Sequence, residues 1–213
     1  MIDKEFTFIG VDIQVGFAKK HGRLYVEGGE NVVKNNVIFI ETHHDRIKEV
    51  IFTVDFHRYN QEAYTEPNIT WPAHCMAYSE DAGIVTELIE VCMKYNIPIK
   101  IFVKGNANGQ HTEYGAFEKI GTYGYENGNL DVITNNRQND CPVHITTNNI
   151  VVAGIAGDYC VLNTIKNLQK YDKGPINLNL SVFMDGICSI DKTNETIRNY
   201  CKDNNIGILE INN

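Results

Sequence analysis

The sequence predicts an α/β protein built on a mainly parallel sheet with helices on both faces. Six apolar, β-branched runs alternate with segments whose apolar residues recur at three- and four-residue spacing. Such alternation implies βαβ crossovers, and strands buried on both faces read as apolar runs. The third observation is positional. Asp12, Asp55, His57, Lys104 and Cys160 all stand just after the carboxyl ends of these runs. Open parallel sheets bind ligands at those ends, where the strand order reverses.

The elements follow in order. Residues 6–11 (FTFIGV) form the first strand. Residues 31–45 place Val33, Val37, Ile40 and His44 on one helical face, and 50–54 (VIFTV) make the second strand. Over 82–95, Val85, Leu88, Ile89 and Cys92 share a helical face. The third strand spans 97–103 and the fourth 150–156. Residues 159–171 read as a helix through Leu162, Ile165 and Leu168. A fifth strand covers 178–184, a helix 193–203, and a short last strand 207–211. The stretch 105–149 is rich in Gly, Asn and Thr, which predicts irregular loops and one short helix near 114–120.

The chain has 213 residues, enough for one generous domain or two small ones. No repeat or linker divides it, so a single domain over 1–213 is expected. The charge is −8, without a Lys/Arg cluster, which argues against nucleic acid or an anionic membrane as partner. No run of about 18 apolar residues suggests a membrane span. The first residues lack the basic start and apolar stretch of a signal peptide. A reducing cytoplasm and free thiols are therefore expected. The six cysteines (75, 92, 141, 160, 188 and 201) include no CxxC pair, which disfavours a zinc ribbon or a thioredoxin-type site.

Cys160 follows a strand through small residues, Gly154-Ile-Ala-Gly-Asp-Tyr159, into a helix. A thiol in a helix's first turn feels the positive end of the dipole, which favours the nucleophilic thiolate. Nearby N–H groups would form an oxyanion hole. For a lone cysteine, a small apolar residue packed at a tight junction is the commoner reading, and Lys104 and Asp12 at neighbouring strand ends shift the balance toward function. The Gly-x-x-Gly is not a dinucleotide fingerprint. Asp55 and His57 point to one face of an extended segment, and His74 arrives from the next loop. That mixed N/O set suits Zn²⁺, Fe²⁺ or Mn²⁺ with open positions, although structural histidines produce the same short pattern.

Several blocks together resemble the isochorismatase-like cysteine hydrolases and, within them, the nicotinamidases. They are Asp12-Ile13-Gln14 with Phe17, Asp55-Phe56-His57, Trp71-Pro72-Ala73-His74-Cys75, Lys104-Gly105, Tyr114-Gly115-Ala116-Phe117 and Gly154 through Val161. They keep family order from about residue 6 to the end of the chain. Met184 through Ser189 matches the end of the family's penultimate strand.

The resemblance implies a three-layer α/β/α fold with a six-stranded sheet in the order 3-2-1-4-5-6. It implies a triad of Asp12 as proton carrier, Lys104 as electrostatic partner and Cys160 as nucleophile. Ala156 and Cys160 would supply the oxyanion N–H groups, with a cis peptide at Ile155–Ala156. Asp55, His57 and His74 would hold a divalent metal, zinc before iron or manganese, with Glu66 as a fourth ligand. Phe17, Trp71 and Tyr114 would line the pocket. The implied activity is hydrolysis of nicotinamide to nicotinate and ammonia in NAD salvage. The alternatives are another small amide or carbamoyl substrate, or a non-enzymatic protein on the same fold. A homo-oligomer is compatible with the fold. Two departures from the family pattern stand out: Asp-Phe-His for the commoner Asp-Trp-His, and Gly157 where relatives often have Thr. The helix that normally precedes strand four is poorly written in 135–149.

Overall fold

The computed structural model describes residues 4–58, 65–66, 69–105, 114–117, 130–133, 142–171 and 178–211. Strand β1 (Phe6–Val11) is buried along its whole length and runs into the four-residue helix α1 (Val15–Ala18). Helix α2 (Gly29–His43) leads back to β2 (Ile47–Asp55). The two-residue strands β3 (Thr65–Glu66) and β4 (Ile69–Thr70) pair antiparallel. Helix α3 (Thr86–Lys94) precedes β5 (Ile99–Lys104). Strands β6 (Leu130–Ile133) and β7 (Pro142–Ile145) pair antiparallel outside the main sheet. Strand β8 (Asn149–Ile155) enters a π-helical turn at Gly157–Val161, followed by α4 (Leu162–Tyr171). Strand β9 (Asn179–Cys188), helix α5 (Glu195–Asp203) and strand β10 (Gly207–Leu209) complete the described chain.

The main sheet has the order β10-β9-β8-β1-β2-β5, and every neighbouring pair is parallel. Counting only its six strands along the chain, this is the expected 3-2-1-4-5-6. The chain winds outward from β1 to β5, then restarts at β8 on the other side of β1. The right-handed rule for parallel crossovers assigns α2 and α3 to one face and α4 and α5 to the other, and α2 packs against α3. Phe39 of α2 stacks on Phe183 of β9 at 4.3 Å and lies 5.6 Å from Phe8 of β1. Each such buried aromatic stabilises the fold by roughly 1.5–3 kcal/mol.

Strand order reverses between β1 and β8, and the two approach closely there. Gly154 has φ +135°, and a Cβ on it would lie 2.0 Å from the Val11 carbonyl oxygen. Only glycine fits that crossing.

Two expectations about 105–149 need correction. Residues 114–117 form a turn, with Phe117 at φ +64°, where a short helix was expected; 118–120 lie outside the described residues. The supposedly irregular stretch also contains the β6–β7 pair. Four-residue runs such as Leu130–Ile133 are too short to show a period, and only pairing with a distant partner makes them strands. Helix α1 escaped for the same reason. Strand β9 runs on to Cys188, past the expected end at 184, because its pairing to β8 resumes after an irregularity at Gly154↔Ile187.

Candidate active site

The ends of β1, β2, β5 and β8 converge around one ammonium. Lys104, the last residue of β5, is fully buried. Its Nζ lies 2.7 Å from Asp12 Oδ2, 2.5 Å from Asp55 Oδ1 and 3.9 Å from Cys160 Sγ. Sheet register alone sets Asp55 beside Lys104. Asp12 leaves β1 with φ +49°, which turns its side chain across the strand ends. Thr53 on β2 fixes it: the Thr53 hydroxyl donates to Asp12 Oδ1 at 2.6 Å, and the Asp12 N–H donates to the Thr53 carbonyl. Asp12, Asp55 and Cys160 also lie close enough to share a cation. Lys104 already supplies one at that position.

Cys160 sits within the π-helical turn, where the Ala156 carbonyl accepts the N–H groups of Tyr159 and Val161. The Ile155–Ala156 peptide is cis, as expected. The thiol's ionisation is a correction. A helix dipole predicts a lowered thiol, yet burial pushes Cys160 well above its ordinary value. Lys104 opposes that shift, while Asp12 and Asp55 add to it. The resting group is therefore a thiol. Burial also raises the Asp12 carboxyl to about 6, with Asp55 adding to the shift and Lys104 opposing it. For Asp55, burial works against ionisation, but the Lys104 ammonium, joined by His57 and His74 when these rings are protonated, holds it below the usual carboxylate range. Lys104 resists the neutralising effect of burial through Asp12 and Asp55, and stays charged.

Asp55, His57 and His74 form the second cluster, with donor atoms all within 4.8 Å of one another. Each histidine Nδ1 faces a backbone carbonyl, Gly105 at 2.6 Å for His57 and Pro72 at 2.7 Å for His74. A carbonyl can only accept, so both Nδ1 atoms carry a proton, which leaves each Nε2 as the ring atom that can offer a lone pair to a metal. His57 Nε2 stands 3.6 Å from Asp55 Oδ2. Burial lowers His74, which keeps its ring neutral. Imidazoles locked by outer hydrogen bonds, beside an ionised carboxylate, are the donor set of a divalent metal site. The donor chemistry fits zinc, iron or manganese. The side chain of Glu66, the expected fourth ligand, lies outside the described residues.

Gly105 packs against this cluster at φ +75°, and a Cβ there would lie 2.8 Å from His57 Cε1 and 2.9 Å from Asp55 Oδ1. Phe17, Trp71 and Tyr114 line a pocket with Asp55, His74, Ala156 and Cys160. Trp71 Nε1 donates to the Tyr114 hydroxyl at 3.0 Å. Tyr159 meets both rings edge-on, at 5.6 and 5.4 Å, and belongs to the same wall.

Sequence reasoning assigned no role to Thr53, Asp81, Tyr159 or Gln14. Gln14 stood inside a recognised motif, and Tyr159 beside the candidate nucleophile. Nothing local marks Thr53 or Asp81. Asp81 accepts the N–H groups of Cys75 (2.7 Å) and Arg23 (2.9 Å), which ties the His74 loop to the pocket segment. Cys75 packs beneath its loop, fully buried, with its thiol 3.5 Å from the Asp81 carbonyl. Cys75, Cys92, Cys160, Cys188 and Cys201 are buried free thiols, and Cys141 lies outside the described residues. Among the described residues no helix is long and apolar enough to cross a membrane.

This strand order matches the isochorismatase-like α/β fold. The yeast nicotinamidase superimposes with a TM-score of 0.71 at 20% identity, covering 95% of this chain and 98% of its own. A pyrazinamidase of Pyrococcus horikoshii in complex with zinc gives 0.68 at 21% identity, over 97% and 99%. An isochorismatase-like hydrolase from Alkaliphilus metalliredigens gives 0.65 at 14%, over 97% and 94%. No family model and no curated protein matches the sequence.

Proposed function

We propose that the chain is an amidohydrolase that converts nicotinamide to nicotinate and ammonia through a thioester on Cys160. One observation carries the reading: a single buried ammonium joins Asp12, Asp55 and the Cys160 thiol, and Asp55 also belongs to the His57/His74 cluster. The fold shared over full length with a nicotinamidase and a pyrazinamidase supports it.

The chemistry follows from the ionisation states. Cys160 rests as a thiol, so attack on the amide carbonyl requires Asp12 to take the Sγ proton. The carbon–sulfur bond forms as the carbonyl becomes an oxyanion, which the N–H groups of Ala156 and Cys160 receive. Lys104 offsets the negative charge gathered on Asp12 and sulfur. Asp12 then returns the proton to the departing nitrogen, the C–N bond breaks, and ammonia leaves a thioester. Water, losing a proton to Asp12, attacks the thioester and releases nicotinate and the thiol. Phe17, Trp71 and Tyr114 hold the flat ring. Asp55, His57 and His74 would hold a divalent metal such as zinc, which would supply a Lewis acid to fix the substrate ring.

The deciding assay measures ammonia release from nicotinamide and a panel of other amides, before and after chelation. Nicotinamide is expected to turn over best, to fail on chelation and to recover with zinc. Turnover of other amides with nicotinamide last would overturn the substrate and leave the mechanism standing. One observation favours that second reading: a cleft of about 650 Å³, flanked by the Lys20–Glu30 and Lys192–Glu27 ion pairs, opens beside the pocket and shares Leu24, Val26, Trp71 and Ile190 with it.

A further inference from the structure

Gln14 takes no part in the steps above, yet its side chain is fully buried and makes three hydrogen bonds. Nε2 donates to the carbonyls of Asp55 and Ala82, each at 2.8 Å, and Oε1 accepts the Asp55 N–H at 2.8 Å. Both main-chain groups of Asp55 are thus held by one carboxamide. The reason lies in the sheet. Pairing of β1 with β2 ends at Val11↔Thr53, because Asp12 turns the chain away. Two residues further along β2, Asp55 has no β1 backbone opposite it. The Gln14 amide, with the same donor and acceptor as a peptide, continues the ladder there.

The clamp is anchored in turn. The Val15 N–H donates to the Gly83 carbonyl at 2.8 Å, and the Val85 N–H to the Ile13 carbonyl at 3.1 Å. These bonds tie both flanks of Gln14 to the segment that carries Ala82. That segment also carries Asp81, which holds Cys75 beside His74. One buried brace therefore reaches two of the three candidate metal donors.

We infer that Gln14 is a positioning residue that aims the Asp55 carboxylate between Lys104 and the two imidazoles, and so sets divalent-metal affinity. The inference rests on the metal site of the proposed function. Residues behind the direct ligands commonly change metal affinity by about ten- to a hundredfold when altered.

The test is zinc affinity of the full chain, measured by competition with a chromophoric chelator, with circular dichroism confirming the fold. Gln14→Met, similar in volume and without the donor and acceptor, is expected to weaken zinc binding by at least about tenfold. Gln14→Glu keeps the acceptor for the Asp55 N–H and loses the paired N–H donors, so it should fall between Met and wild type. It also decides the matter if the Met variant does not fold. A folded variant that binds zinc as tightly as wild type overturns the positioning role alone. Wild-type protein that binds no zinc overturns the metal site and this role with it.

Discussion

Asp12 and Asp55 are the same residue type, at the ends of adjacent strands, bound to the same ammonium. Their carboxyls are nevertheless pushed apart. Asp12 has one cationic neighbour, and burial raises it to about 6. Asp55 is also buried, but Lys104, joined by His57 and His74 when these rings are protonated, outweighs that burial and keeps it ionised. Two carboxylates separated in this way are suited to different work. Asp12 can gain and lose a proton near neutral pH. Asp55 is a fixed anion, able to hold Lys104 on one oxygen and face a metal with the other.

Four experiments would break or sharpen that contrast. Cys160→Ala removes the group on which the Asp12 side acts, and ammonia release should fall by roughly ten-thousandfold or more. Zinc binding should survive, since the Asp55 side is untouched. Retained turnover would remove Cys160 from the mechanism.

Asp12→Asn keeps the shape and removes the proton carrier, with an expected loss of about a thousandfold in turnover. In wild type, kcat/KM should rise with pH along a limb near 6 as Asp12 ionises, with no limb from Asp55 above pH 4. The stability effect has the opposite sign. A carboxyl raised on folding contributes stability below its unfolded value of 3.8 and loses that contribution as pH rises through about 6. Thermal melts at pH 7 should therefore place Asp12→Asn level with or above wild type, and the gap should close towards pH 4. A variant less stable at pH 7 than at pH 4, relative to wild type, would contradict the burial argument.

His57→Ala strikes the Asp55 side alone. Zinc stoichiometry should fall towards zero and KM should rise by at least about tenfold, with kcat the less affected. An equal fall in kcat and kcat/KM would show that this cluster serves the chemical step rather than substrate placement. Gly105→Ala is the mildest. Its Cβ would press on His57 and Asp55 at a positive φ, for an expected loss of about 1–3 kcal/mol in denaturant unfolding. Added zinc should recover little of it.

Much of the site could be read from the chain. Where an apolar run stops, a strand ends, and Asp12, Asp55, Lys104 and Cys160 each follow such a stop. Repeated strand and helix then leave few topologies, so the carboxyl ends gather at one switch point. Gln14 could be seen as part of a motif but not given a task, because its partners, Asp55 and Ala82, lie 41 and 68 residues away. Thr53 was hidden in a strand, where threonine is ordinary. The β6–β7 pair was hidden because short runs acquire strand geometry only from each other.

By itself, then, the sequence determined which residues stand at the strand ends, since strand and helix periods are local properties of neighbouring side chains. Only the tertiary structure decided their charge states. It put one lysine between two aspartates and buried the thiol beside them, so that burial outweighs the helix dipole expected to lower it. Ionisation depends on lost water and on charges a few ångströms away, and both come from residues far apart in the chain.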